Sequence, residues 1–479
     1  MSISQAMSTA LAGLGVATRA TTTVSSNVAN ALSTSYARRE MEVGSIAAGG
    51  ARTVSVTRAV DIALQADRRL AQASAAGEET MTAFLRGLEE AIGSSDDAQS
   101  LTGRVAALEA AITAAAASPH STSLLDQVAG AADDLAGRIN AISAAVQGAR
   151  GDADAAIAAD VATLNESLAR VKDLNDLILA RGAAGKDVND LLDKRQAVID
   201  GIAEIIPVKE IAREGGRVAL YTETGALLVD SEPVTFGFDR AQAVTAGTLV
   251  GVGATGLSGL TINGRAVDTL GATGAIAGGR LAANFAIRDV EGVEAQAGMD
   301  ALARNLIDRF ADPATDATLA GQAGLFTDGG SLLSTGTDTG LAGRLAINRL
   351  ADPEAGGDAT RLRDGLGAAT PAAAGDASAL NALVTALTRS TAAPGAGTAG
   401  DFASFSSVFL SDIASARLRS ETQSTYLASR ATMLSESELA NGVSQDDEMQ
   451  KLLLIEKAYA ANAKVIQTVD SLLETLLEM

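Results

Sequence analysis

The 479-residue chain carries a formal net charge of −21 and no cysteine. That charge argues against a phosphate-backbone or anionic-membrane partner, which needs a Lys/Arg surface, and the missing thiols exclude disulfides, thiolate metal sites and cysteine nucleophiles. Hydrophobic residues make up 47% but aromatics only 3%, with no tryptophan, so a chain with room for two to four domains must build its cores from Ala, Leu, Ile and Val, as helix bundles do.

The N-terminus, MSISQAMSTALAGLGVATRA, has no positive side chain before Arg19 and no clear apolar h-region. No cleavable signal peptide is expected, and no apolar run approaches the ~18 residues of a membrane-spanning helix. Ile3, Met7, Ala10, Leu14, Ala17, Thr21, Val24 and Val28 recur at alternating spacings of four and three, on one helical face. Thr21, Thr22 and Thr23 weaken its intrinsic helicity, so alone this helix is marginal in water. Beyond it lies a polar cluster, Asn27, Asn30, Tyr36 and Arg38, that reads either as a helix end turning into a loop or as a subunit contact.

Residues 40–60 read as extended and 61–93 as a helix, with breaks at Asp96-Asp97 and Ser118-Pro119. Leu124, Val128, Leu135, Ile139, Ile142 and Val146 mark one helix. Ile157, Val161, Leu164, Leu168, Val171 and Ile178 mark the next, interrupted only at Asn175, a rhythm that suits bundle packing. NDLLDKRQAVIDGIAEII gives a further helix stopped by Pro207. Its Asp193 and Arg195 read as structural ion pairs within the bundle rather than catalytic groups.

The period then switches to two, with Gly-Gly, Thr-Gly and Asn-Gly turn signals, and a small β-rich domain is expected over 207–279. Helix returns at 280–311, Gly/Asp/Thr-rich loops occupy 312–345 and 350–375, and a long helix runs over 400–440 to the break at Asn441-Gly442. The last helix, 446–478, opens with Asp446, Asp447 and Glu448, which complement its N-terminal dipole. Leu452, Ile455, Tyr459, Asn462, Ile466, Val469, Leu473 and Leu476 then alternate at three and four without a slip. Such a rod, ~50 Å long, cannot bury its stripe against itself, and the N-terminal stripe is the obvious partner. Terminal helices that are marginal alone order when other copies supply packing surface.

The chemistry-bearing patterns are weak beside these stripes. GVGATG at 251–256 matches G-x-G-x-x-G but is followed by a hairpin pattern, not a helix, so a Gly-rich turn is read there. The single histidine, His120, lies in a loop, where neither a triad nor a His-based metal site is in view. The pairs Asp96-Asp97, Asp133-Asp134 and Asp446-Asp447 are adjacent in sequence, so they point apart and read as solvated or capping groups. FTDGGS and GTDTG lack EF-hand spacing and read as turns. No enzyme activity, cofactor or metal is expected.

The ends resemble the flagellar axial protein family of bacteria. Asn27, Asn30, Tyr36 and Arg38 match its N-terminal Asn-x-x-Asn…Tyr-x-Arg. Tyr459, Ala461, Asn462, Val465, Ile466, Thr468 and Asp470, with trailing Leu473, Leu476 and Leu477, match its C-terminal motif. Within it, NDLLDKR (189–195), GGRLAANFAIRD (278–289) and LAINRLADPEA (345–355) look like the hook-associated protein 1 family, the hook–filament junction proteins. The middle is shorter than in many relatives.

The resemblance implies a structural protein of the extracellular flagellum, exported through the type III apparatus without a cleaved signal. Its implied partners are copies of itself, hook protein, a second junction protein or flagellin, and an export chaperone, with no nucleic acid and no membrane insertion. The expected fold is α+β, mainly α, with discontinuous domains. These are a terminal coiled coil from 1–60 with 441–479, a helical bundle from 61–206 with 280–440, and the β-rich insertion. The expected interface is Ile3, Met7, Leu14, Val24, Asn27, Val28, Asn30, Tyr36 and Arg38 against Leu452, Ile455, Tyr459, Asn462, Ile466, Val469, Leu473 and Leu476. Buried polar residues at the seam would set register. The alternatives are another axial component, hook or distal rod, which NDLLDKR and the long helices disfavour, and, in other classes, an exported coiled-coil adhesin or effector, or a wall hydrolase.

Overall fold

The computed structural model describes residues 3–33, 35–46, 50–94, 96–251, 256–271, 273–334, 336–392 and 398–478, apart from the side chain of Leu476. The chain opens with helix α1 (Ile3–Ala29) and an antiparallel hairpin, β1 (Arg39–Ser45) with β2 (Ala51–Arg58), in which Arg39 faces Arg58. Helix α2 (Ile62–Ile92) is capped by Asp61, whose carboxylate accepts from the amides of Ala63 and Leu64. Helix α3 (Leu101–Ala117) is capped in the same way by Ser100.

Helix α4 (Thr122–Ala183) is a correction to the sequence reading. The two helices expected on either side of residues 147–156 are one helix of 62 residues, about 93 Å long at the standard rise. Gly148 and Gly151 each cost about 1 kcal/mol in a helix interior. The buried Ile142 and Val146 before them, and Ile157 and Val161 after them, contribute more than that by hydrophobic burial. Helix α5 (Asn189–Ile205) stops as expected, Ile206 turning extended before Pro207.

The β-rich stretch holds two small antiparallel sheets, β3 (Val208–Ala212), β4 (Val218–Thr222) and β5 (Leu227–Val229), then β6 (Phe236–Gly237), β7 (Thr261–Ile262) and β8 (Arg265–Ala266). Asn263 and Gly264, both at positive φ, form the expected tight turn of the β7–β8 hairpin. Of GVGATG, residues 252–255 lie outside the described residues.

Helix α6 (Gly279–Ala286) continues through a π-turn, Ile287–Glu291, into α7 (Gly292–Ala311). Its first residue must be glycine: Gly279 has φ +74°, and a Cβ there would lie 2.4 Å from the carbonyl oxygen of Ile205. The loop-rich stretch that follows contains the antiparallel pair β9 (Phe326–Asp328) and β10 (Leu345–Ile347), the short α8 (Arg361–Asp364) and α9 (Ser378–Thr388). Its acidic turns are occupied by arginines, Asp328 by Arg344 at 2.7 Å and Asp338 by Arg304. Helix α10 (Phe402–Ala440) runs back along α2, and α11 (Gln445–Glu478) runs along α1.

Two large hydrophobic cores are strung along α4, with a third small cluster of Leu174, Ile178 and Leu191 near its C-terminal end. One collects Leu88, Ile112, Ile139, Met299, Phe310 and Leu383 from α2, α3, α4, α7 and α9. The other collects Ile157, Leu164, Ile202, Leu220 and Phe285 from α4, α5, the first sheet and α6. At the level between them sit two fully buried arginines, Arg150 and Arg288. Arg150 donates to the carbonyls of Thr245, Thr248 and Arg288, and Arg288 pairs with Asp154 and Asp289. These bonds satisfy the donors and, with Arg288 donating to the Ser258 carbonyl, tie residues 245–248 and Ser258 to the bundle. Among the described residues neither core contains a residue of α1 or α11.

Candidate interface: the terminal helix pair and its joint

The α1–α11 seam is asymmetric. On α1 the buried positions are Ala10, Ala17, Ala20, Val24 and Asn27, mostly small, so the two backbones approach closely. Gly13 lies at a close approach, where a Cβ would lie 2.6 Å from the side-chain amide nitrogen of Asn462. On α11 the facing side chains are Glu448, Leu452, Ile455, Asn462, Ile466 and Val469, of which Glu448 and Val469 are buried and the rest half-buried.

The expected residues fall out unevenly. Val24, Asn27 and Val469 are buried in the seam, while Ile3, Met7, Leu14, Val28, Leu452, Ile455, Asn462 and Ile466 are half-buried. The α1 face keeps Ala10, Ala17 and Val24 of the expected stripe and departs from it at two places: Thr21 is exposed and Ala20 buried, and Asn27 replaces Val28 as the innermost residue. Heptad spacing drifts against a straight 3.6-residue helix, so over the length of α1 the buried line slips one residue from the expected stripe at Ala20 and again at Asn27. Tyr459, at 49% exposure, and Leu473, at 37%, are open to solvent although they lie in the predicted stripe, because a two-helix pair covers only one flank of each partner. The side chain of Leu476 lies outside the described residues.

Of Asn27, Asn30, Tyr459 and Asn462, the polar residues expected to set register, only Asn27 bonds across the pair. Its Nδ2 donates to Glu448 Oε2 at 3.0 Å and to the carbonyl of Arg39 at 3.0 Å, while its Oδ1 accepts from the Tyr36 hydroxyl at 2.8 Å and the Arg39 amide at 2.9 Å. Both Asn27 and Glu448 are 1% exposed, and Lys451 supplies the carboxylate with a cation at 2.6 Å. Asn30 and Asn462 instead donate to carbonyls of their own helices, Ser26 and Ala458. Burial raises the Tyr36 pKa above the ordinary phenol value.

The hairpin then docks on the N-terminal end of α5, through the NDLLDKR segment. Arg39 reaches Asp190 and Asp193, each at 2.8 Å, and Arg58 meets Asp193 at 2.7 Å. The Asn189 side-chain amide donates to the Val56 carbonyl at 2.9 Å. Asp193 therefore pairs outside the bundle, not within it as expected. Arg195 finds no carboxylate either: it donates to Asn175 Oδ1 at 2.9 Å and the Gly216 carbonyl at 2.7 Å, which gives Asn175, the odd residue in its helix stripe, its role. Burial, aided by the neighbouring Arg58 and Arg69, pulls the Arg195 pKa down to about 10. Further along, Arg68 bridges Asp200 and Glu438, and Arg69 bridges Asp200 and Glu210.

Between hairpin, α2, α5 and the α10–α11 turn lies a cleft of about 940 Å³ lined by ion-paired and amide side chains. Among the described residues no group of His, Cys, Asp or Glu is placed to hold a metal, and no helix is long and apolar enough to cross a membrane. The arrangement is built for packing and register.

A second apolar line on α11 lies outside the predicted interface. Leu454, Val465 and Leu472 stand 66%, 43% and 51% exposed, on the flank away from α1, with Ala458 and Ala461 between them. A signal for it exists in the sequence: 454, 458, 461, 465 and 472 keep the same three–four rhythm, broken only at the polar Thr468 and one step out of phase with the first stripe.

Comparison with known proteins agrees with this architecture. No curated protein sequence matches the chain. In the solved structures, the flagellar hook junction protein FlgK from Burkholderia pseudomallei is 18% identical, with a TM-score of 0.44, over 55% of this chain and 47% of that one. The chain thus spans about half the length of that relative. The flagellar basal body rod FlgEFG protein C-terminal family matches residues 440–479, the α10 end and α11. The flagellar hook-associated protein FlgK helical domain matches residues 85–326, a little over half of the sequence. The chain belongs to the flagellar hook-associated protein FlgK family.

Proposed function

We propose that this chain is a structural subunit of the bacterial flagellum that joins hook to filament, outside the cell, by polymerising through its terminal helices. No reaction is catalysed. The α1–α11 pair packs against neighbouring copies, against hook protein on one side and a second junction protein or flagellin on the other, and a chaperone holds the apolar helices before export. In this reading residues 1–60 with 441–479 form the assembling domain, 61–206 with 280–440 the bundle, and 207–279 an insertion.

The observation that carries the reading, beside family membership, is the uncovered apolar surface of α11. A stripe containing Leu454, Val465 and Leu472 on a helix already paired through its other flank asks for further chains. The test is complementation of a strain lacking the gene. Hooks without filaments are expected in the null strain, filaments with the full chain, and none with a chain truncated after Lys451, whose central helices still give a native circular-dichroism spectrum. Filaments grown on the truncated chain would refute the reading.

A further inference from the structure

Four elements meet around one backbone position. Glu448 of α11 holds the Asn27 amide of α1. That amide brackets Arg39 in β1, accepting from its N–H and donating to its carbonyl. The Arg39 guanidinium lies 5.1 Å from the centre of the Tyr36 ring, whose hydroxyl donates to the same amide. From this fixed Cα the side chain crosses to Asp193 of α5 at 2.8 Å. Asn27 and Glu448 are 1% exposed, and the Arg39 and Asp193 side chains 10% and 12%.

We propose that Asn27 and Arg39 couple the pairing of the terminal helices to the docking of the hairpin on the bundle. The physical basis is sharing of one ordered residue. An Asn amide with every hydrogen-bonding position filled cannot rotate, and Arg39 pinned at both backbone groups loses little further freedom when it meets Asp193. Remove Glu448 and the amide loses an acceptor on a buried N–H. Asn27 then rotates, Arg39 loosens at its Cα, and the pair with Asp193 must order an arginine that was previously held. The same coupling acts in reverse, since linkage is reciprocal for equilibria. The joint is therefore firm when α11 lies on α1 and slack when it does not, so the bundle is sensitive to the state of the chain ends.

The test is amide hydrogen exchange on the full-length protein and on Glu448→Ala, Asp193→Asn and the double variant, each first checked for wild-type helix content. Glu448→Ala is expected to speed exchange at least about fivefold in the hairpin, residues 39–45 and 51–58, and in the first turns of α5. Asp193→Asn is expected to speed it by a similar factor in α11 near residue 448. The double variant should fall short of the product of the two, because each change already loosens what the other would. Acceleration confined to each variant's own element, or a double variant equal to the product, overturns the proposal. Should Glu448→Ala lose helix content, Glu448→Gln replaces it with the same criteria. The absence of cysteine also allows spin labels on introduced cysteines at the exposed Arg181 and Gln467. Asp193→Asn should broaden their distance distribution, and an unchanged distribution counts against the coupling.

Discussion

Asn27 uses all four hydrogen-bonding positions of its amide, on three different partners, at a site with almost no solvent. Replacing it with alanine leaves the Glu448 carboxylate buried with only Lys451, and strips the Tyr36 hydroxyl and the Arg39 backbone of their partner. Unsatisfied buried groups of this kind cost about 1–3 kcal/mol each. We expect Asn27→Ala to weaken the terminal pair by about 2–3 kcal/mol, read from exchange protection of α1 and α11. Asn30→Ala, whose side chain bonds only to Ser26 of its own exposed helix end, should stay within about 0.5 kcal/mol. The two asparagines look alike in sequence. What separates them is the helical phase at which Glu448, more than four hundred positions away, arrives, and no local pattern reports that. Asp193 is the same case: its neighbours suggest a bundle ion pair, yet its partners Arg39 and Arg58 come from the N-terminal hairpin, far from it in sequence.

Elements built from large apolar residues are legible in the sequence, and the packing face of those built from small ones only in part. The α11 stripe is visible because Leu452, Ile455, Ile466 and Val469 are bulky and regularly spaced. The α1 seam is read only in part: Ala10, Ala17 and Val24 fall in the expected stripe, but Gly13, Ala20 and Asn27 make close contact without a hydropathic signature, while Leu14 and Val28 beside them draw the eye. Helix α4 reads as two because glycines look like punctuation when the burial on both sides is not known. Substitution separates the two kinds of glycine. Gly148 and Gly151 lie mid-helix, and a methyl group added at either would meet nothing within 4 Å. Changing either to alanine should stabilise the protein by up to about 1 kcal/mol in urea unfolding followed by circular dichroism. Gly279→Ala, with φ +74° and the Ile205 carbonyl in the way, should instead cost more than about 1 kcal/mol. Equal effects at the three positions would show that the α5–α6 crossing is looser than described.

Across the whole molecule, the terminal pair contributes no described residue to either core, so its two apolar flanks serve different ends. A lysine at the buried Val469 should destabilise the α1–α11 pair by at least about 2 kcal/mol. A lysine at Leu454 or Leu472, both open to solvent, should leave monomer unfolding within about 0.5 kcal/mol of the parent while abolishing filament growth in the complemented strain. Normal swimming with both lysines in place would mean that this flank faces no neighbour. The continuous helix α4 adds one more consequence. It is a single spar running through both halves of the body, while the hairpin that carries the ends meets that body at a pinned corner. A force applied to the paired ends is therefore expected to reach the spar through few polar ties, the grip of Arg39 and Arg58 on Asp193 among them.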